Sequence, residues 1–231
     1  MANPAVESIQ DAPDITRRLA ANVAALTYGQ LPADVVFVAK HCLLDWLGVT
    51  MAGAQEPLTA MLVDYVGAEG GAPQATIIGL GGKVSVGQAA LVNGSAGHAL
   101  DYDDVLRWLN GHPTAPVMPA ILALAEHRGD GGRALIEAFA AGVETESRVG
   151  IMMGEGHYAK GWHATATIGH FGAAAGAAKL LGLEAARIAE PPVRDGTDSA
   201  DGAGAASAFT PAAPCPAPSW RPGLFLYIKH G

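Results

Sequence analysis

Cysteine is nearly absent: Cys42 and Cys215 are the only two in 231 residues. Two thiols cannot build a disulfide framework, a four-cysteine zinc site or a cluster held by three or four thiolates, so an iron–sulfur hydratase is disfavoured. Basic residues are also scarce. There are 14 Lys and Arg against 22 Asp and Glu, a net charge of -8, and no basic cluster exceeds the pair Arg17 and Arg18. Nucleic acid and anionic membrane surfaces therefore have no electrostatic footprint, and an anionic ligand must be held by local donors against the overall field. No uninterrupted apolar run reaches the ~18–20 residues of a membrane span, and the N-terminus lacks a basic stretch followed by an apolar one. The cytoplasm is the expected location. HExxH, GxSxG and EF-hand spacings are missing too, which weakens zinc-protease, serine-hydrolase and calcium readings.

Aromatic residues make up 6% of the chain although half of it is apolar. The apolar content is thus mostly Ala, Val and Leu, and the Ala and Leu favour packed helices. Ile15, Leu19, Val23 and Leu26 recur at three and four and predict an amphipathic helix over 14–26. Pro32 opens and Gly53 closes a long helix whose apolar positions include Val35, Val38, Cys42, Trp46 and Leu47. ATIIGLGGKVSV, residues 75–86, holds two short β-prone pieces parted by Gly79, Gly81 and Gly82, which predicts a hairpin; without a βαβ unit these glycines are not a dinucleotide loop. Helices are then expected over 87–100, 116–127, 133–153 and 163–183. The fold class expected is all-α, a multi-helix bundle with one short β-hairpin, within residues 1–190.

Beyond Glu190 the character changes: seven of the fifteen prolines fall in the last 41 residues. A Pro/Ala-rich stretch without periodicity is expected to be irregular. A reading-frame slip near codon 190 is the preferred explanation, since out-of-frame GC-rich DNA tends to encode Pro, Ala, Gly, Ser and Arg.

Chemistry concentrates in two places. HALDYDDVLRWLNGHPTAP brings His98, Asp101, Asp103, Asp104 and His112 within fifteen residues. Were the helix to run on, His98, Asp101 and Asp104 would share a face, with Asp103 pointing away and solvated, and His112 would ride on the following loop. GEGHYAKGWHATATIGHFG supplies His157, Lys160, His163 and His170, with His163 at a helix start, where free amides and a partial positive charge suit a carboxylate ligand. His98 and His170 read as packing or supporting residues and His41 as a core or rim residue. A metal held by His98, Asp101 and His112 is the rival chemistry, and it is disfavoured by the absence of a metal-ligand spacing.

The ordered blocks VFVAKHCLLDWLGVTMAG, ATIIGLGGKVS, ALVNGSAGHALDYDD, GHPTAPVMPAILALAE and GHYAKGWHATATIGHFGAAAGAAKLLGL resemble the MmgE/PrpD family over about residues 20–189. The family includes 2-methylcitrate dehydratase, cis-aconitate decarboxylase and iminodisuccinate epimerase. The resemblance implies a cofactor-independent lyase or isomerase, metal-free, homodimeric, acting on a small di- or tricarboxylate. It implies catalytic roles for Asp101, His112 and His163, and beside these Asp104 and Lys160 are the expected substrate contacts. Family members continue into a Lys-Pro-x-His-x-Gly segment and a closing lid, neither of which is found in residues 190–231, and Val105 stands where relatives can carry Thr. Weak or no activity of the chain alone is therefore expected, with a carboxylate epimerase, or a non-catalytic remnant pairing with an intact relative, as the alternatives.

Overall fold

The computed structural model describes residues 15–189, and among these it contains nine α-helices and one two-stranded sheet. In chain order they are α1 (Ile15–Ala25), a 3-10 turn (Tyr28–Gln30), α2 (Ala33–Gly53), α3 (Pro57–Glu69), β1 (Ala75–Thr76), β2 (Lys83–Val84), α4 (Val86–His98), α5 (Thr114–Arg128), α6 (Gly132–Met153), α7 (Glu155–Ala159), α8 (Ala164–Leu180) and α9 (Ala185–Ala189). The all-α class and the hairpin thus stand as the composition implied. The expected irregular or frame-slipped segment 191–231 lies outside the described residues.

The core is a layer of α5, α6 and α8 with α2 and α4 laid against it. Trp46, Leu106, Leu109, Met118, Ile121, Phe139 and Val143 fill it with almost no exposure. With few aromatics, volume is saved by close approach instead. A Cβ on Gly97 of α4 would lie 2.5 Å from Trp46 Nε1 and 2.9 Å from Thr50 Oγ1 of α2. Gly142 and Gly172 likewise let α6 and α8 meet over Val117 of α5. Pro119 inside α5 forfeits one backbone bond, yet its ring packs 3.1 Å from the position a Cβ would take on Gly94, so α4 seats on it.

Three helices escape the periodicity reading, α3 and the five-residue α7 and α9. α3 is apolar nearly all round, so no single face shows, and Leu58, Met61 and Tyr65 are exposed on it. α2 is long and apolar enough by composition to cross a membrane, but it buries Cys42 and Trp46 in the core. Its other side shows Phe37, Leu44 and Met51 spaced by seven, each more than half exposed.

The hairpin joins the helices through one carboxylate. Ala75 pairs with Val84 and Thr76 with Lys83, and the turn residues Gly79, Gly81 and Gly82 all have positive φ. This is a conformation natural to glycine, and a tight turn is the role these residues serve. Glu126 of α5 accepts from the Thr76 amide (2.8 Å) and hydroxyl (2.7 Å) and pairs with Lys83 at 2.9 Å. α4 starts with a capping box in which Gln88 Oε1 accepts from the Ser85 amide at 3.1 Å.

Candidate active site

α4 ends at His98, and within three residues the chain turns: Asp101 sits at φ 54. A left-handed non-glycine residue is tolerated best by Asp and Asn, whose short side chains fit this region. That turn overthrows the expectation for Asp103. Helical spacing does not continue through 101–104, so the chain folds inward and the Asp103 side chain is fully buried instead of solvated. Both its oxygens lie 2.9–3.0 Å from His98 Nδ1. His112 Nδ1 comes within 3.4 Å of the same carboxylate and 3.3 Å of the Asp103 carbonyl oxygen. On its other edge His112 Nε2 lies 3.4 Å from Asp101 Oδ1, whose side chain is 80% exposed. One buried carboxylate therefore orients two imidazoles, and His112 presents its second nitrogen towards an exposed carboxylate.

Loop 99–113 is held at several points. Leu106 and Leu109 plug into the core, the Leu106 amide donates to the Gly111 carbonyl at 2.9 Å, and Asn110 takes a second left-handed conformation at φ 55. Gly111 lies so close to α8 that a Cβ would meet Thr165 Oγ1 at 2.6 Å, while that hydroxyl accepts from the His112 amide at 3.0 Å. Asp104 closes the loop onto α5, accepting from the Thr114 hydroxyl at 2.6 Å and the Thr114 amide at 3.2 Å.

His163 immediately precedes α8, as its sequence position implied, and its ring centroid lies 6.2 Å from that of His98; the His98 and His112 rings are 4.7 Å apart. The two sequence patches thus meet. Lys160 stands on an exposed turn after α7, with no hydrogen bond or ion pair from its ammonium among the described residues. His157 Nε2 bonds Thr167 Oγ1 at 2.7 Å and stacks on Trp162. His41 and His170 face outward, each with Nδ1 on its own helix backbone, at Phe37 and Ala166 respectively. An open groove of about 630 Å³ between α4, α5 and α8 borders the cluster, with His98, His163, His170, Leu91 and Pro116 in its walls. Asp103 is the site residue that spacing missed; its signal was the switch from helix to loop after His98.

His98, Asp101, Asp103 and His112 each offer a donor atom within 4.8 Å of the others. The set is chemically able to take a divalent cation, but Asp103 is already engaged by the imidazole of His98, and that of His112 is close beside it. The arrangement matches acid–base chemistry: imidazoles of fixed orientation, an exposed carboxylate, and a helix N-terminus to favour an anion.

Residues 17–198 match the MmgE/PrpD N-terminal domain. The chain is 33% identical over 181 residues to the cis-aconitate decarboxylase-like protein oryM of Aspergillus oryzae, covering 74% of this chain and 37% of that protein. It is 30% identical over 182 residues to human cis-aconitate decarboxylase, covering 76% and 38%, and 29% identical over 164 residues to cis-aconitate decarboxylase of Aspergillus terreus, covering 68% and 34%. The chain belongs to the MmgE/PrpD family, and it spans little more than a third of the length of these curated relatives.

Proposed function

We propose that this chain carries the proton-transfer half of a cofactor-independent lyase that removes a proton alpha to a carboxylate of a small di- or tricarboxylic acid. The observation that supports it is the convergence of His98, His112 and Asp101 on the buried Asp103, with the His163 ring beside that of His98. In this reading His112 or Asp101 takes the proton, while His163 and the start of α8 face the developing enolate-like charge. Elimination of water, loss of carbon dioxide or return of the proton to the other face then distinguishes dehydratase, decarboxylase and epimerase.

Charge sets the limit on this site. Asp101, Asp103 and Asp104 bring three carboxyls into the loop against the single cation Arg107, and Lys160 is the nearest cation in sequence to His163. A multiply charged acid needs more positive charge than that, so the chain alone is expected to turn over weakly or not at all.

The test is a chimera in which residues 17–189 replace the matching segment of the oryM relative. It is assayed on 2-methylcitrate, cis-aconitate and iminodisuccinate, with exchange of the alpha proton followed in heavy water. Turnover of one acid is expected, with His112→Ala lowering the rate by about 10²–10⁴-fold. A folded chimera whose rate is indifferent to His112→Ala sinks the assignment. Metal analysis of the same protein separates the rival: stoichiometric metal, with activity lost to a chelator, assigns the cluster to a cation instead.

A further inference from the structure

None of the five residues of α7 is buried, and the turn that follows leaves Lys160, Gly161 and Trp162 exposed. An element that buries so little apolar surface adds little to folding. Yet the segment is shaped at both ends, where Gly154 at φ 61 and Gly161 at φ 87 turn the chain into and out of the helix.

What α7 holds is the start of α8. His157 Nε2 lies 2.7 Å from Thr167 Oγ1, and its ring stacks on Trp162 with centroids 6.2 Å apart and planes 16° apart. The His157 carbonyl accepts from the Trp162 amide at 3.4 Å, which folds the strap back on itself. The Thr167 hydroxyl donates to the His163 carbonyl, four residues earlier, at 3.0 Å. That carbonyl also accepts from the amides of Ala166 at 3.1 Å and Thr167 at 3.0 Å, so three donors tie the backbone of His163. A hydroxyl has one proton to give. With it on the His163 carbonyl, Thr167 Oγ1 accepts from His157, and the neutral imidazole of His157 carries its proton on Nε2.

The imidazole of His163 has no comparable ties. Among the described residues neither of its nitrogens makes a hydrogen bond, and its ring contact is with His98, 6.2 Å between centroids. An exposed ring without a hydrogen-bond partner takes its direction from the backbone that carries it. The backbone tie is therefore what aims this ring at the site.

We propose that residues 154–162 form a strap whose His157–Thr167 contact positions the His163 imidazole beside that of His98. His157 and Thr167 are then positioning residues that touch no substrate. The use of the strap rests on the proton-transfer reading above, in which His163 faces the developing charge; there a misplacement of about 1 Å costs on the order of 10²-fold in rate.

The experiment is NMR of the full chain, reading the proton contact between the His163 and His98 rings and the nitrogen shifts of the His157 imidazole. At about pH 8, above the ordinary histidine range, the unmodified chain is expected to show the ring contact and a His157 proton on Nε2. Thr167→Val keeps the volume and removes the hydroxyl, while His157→Phe keeps an aromatic ring against Trp162 and removes the donor. Each is expected to lose the His163–His98 contact. Thr167→Ser and His157→Gln put back a hydroxyl and a side-chain N–H and should retain it. Core contacts of Ile168 should be unchanged in all four variants, which separates positioning from a general loss of fold. A ring contact that survives both Thr167→Val and His157→Phe overturns the strap, and so does a loss that the two conservative variants share. Should the disruptive variants fail to fold, the unmodified chain decides: a His157 proton on Nδ1 overturns the proposal and one on Nε2 supports it. The two readings fail separately, because a chimera indifferent to His112→Ala sinks the proton transfer while the ring contact still reports on the strap.

Discussion

Glu126 and Glu146 stand on neighbouring helices and meet opposite fates. At the hairpin edge Glu126 gathers two donors from Thr76 and an ion pair from Lys83. Its partial burial opposes the charge, yet the Thr76 donors and Lys83 hold the carboxyl down to about 2. Under the site loop Glu146 has full burial, one acidic neighbour and no donor, and it is pushed up. The difference lies in how each region is built. The hairpin is a thin polar seam where side chains can reach water and each other. The α5–α6–α8 layer is closed by glycines, and its close packing leaves no room for a partner to the one acid inside it.

The sharpest way to break this contrast is to fill the space that confines Glu146. Gly172→Val drives a side chain into the Glu146 carboxyl and Val117, and overpacking of this kind is expected to cost about 3 kcal/mol. Urea denaturation measures it, and a loss near zero means α6 and α8 are free to part, which removes the reason given for the unpaired acid. Next in size is Asp103→Ala, which takes the acceptor from His98 and the neighbouring carboxylate from His112. A loss of about 2 kcal/mol is expected for groups left without it, together with loss of the ring contacts between the two imidazoles in proton NMR. Unchanged ring contacts would mean that the backbone alone places them.

These contrasts also show what a sequence can disclose. The long helices and the hairpin were readable because Pro32, Gly53 and the turn glycines mark their ends and because apolar positions recur at three and four. α3 was not, since a helix apolar nearly all round shows little period to detect. At the site, His112, His163 and Asp101 were legible as chemistry-bearing residues near element ends. Asp103 was not, because its inward turn depends on the left-handed backbone at Asp101, and the burial of Glu146 depends on Gly172, distant in the chain. In both cases the decisive fact is a tertiary contact or a single backbone angle.

Replacing Glu146 by Met removes the unpaired acid while keeping its length. A fully buried polar group without partners is a net cost, so the variant is expected to gain about 1 kcal/mol at pH 8. Because the folded-state value of Glu146 is raised, the gain should shrink as pH falls towards the ordinary glutamate range, where the unmodified side chain is neutral in both states. A gain that is constant between pH 5 and 8 would assign the effect to packing alone.

The smallest effect belongs to the well-partnered acid. Glu126→Gln keeps the shape at the seam but gives up the charge, and with the carboxylate partly open to solvent the loss is expected to stay below about 1 kcal/mol at pH 7. Here the sign runs the other way. The folded-state value is lowered, so the contribution of Glu126 is present above the ordinary glutamate value of 4.5 and drains away as pH falls towards about 2. Unfolding curves of the two proteins should therefore converge on acidification, whereas those of the Glu146 pair converge by losing a difference of the opposite sign. If Glu126→Gln remains less stable by the same margin at pH 3, the seam is held by shape and hydrogen-bond count rather than charge, and the two glutamates differ only in the number of their partners.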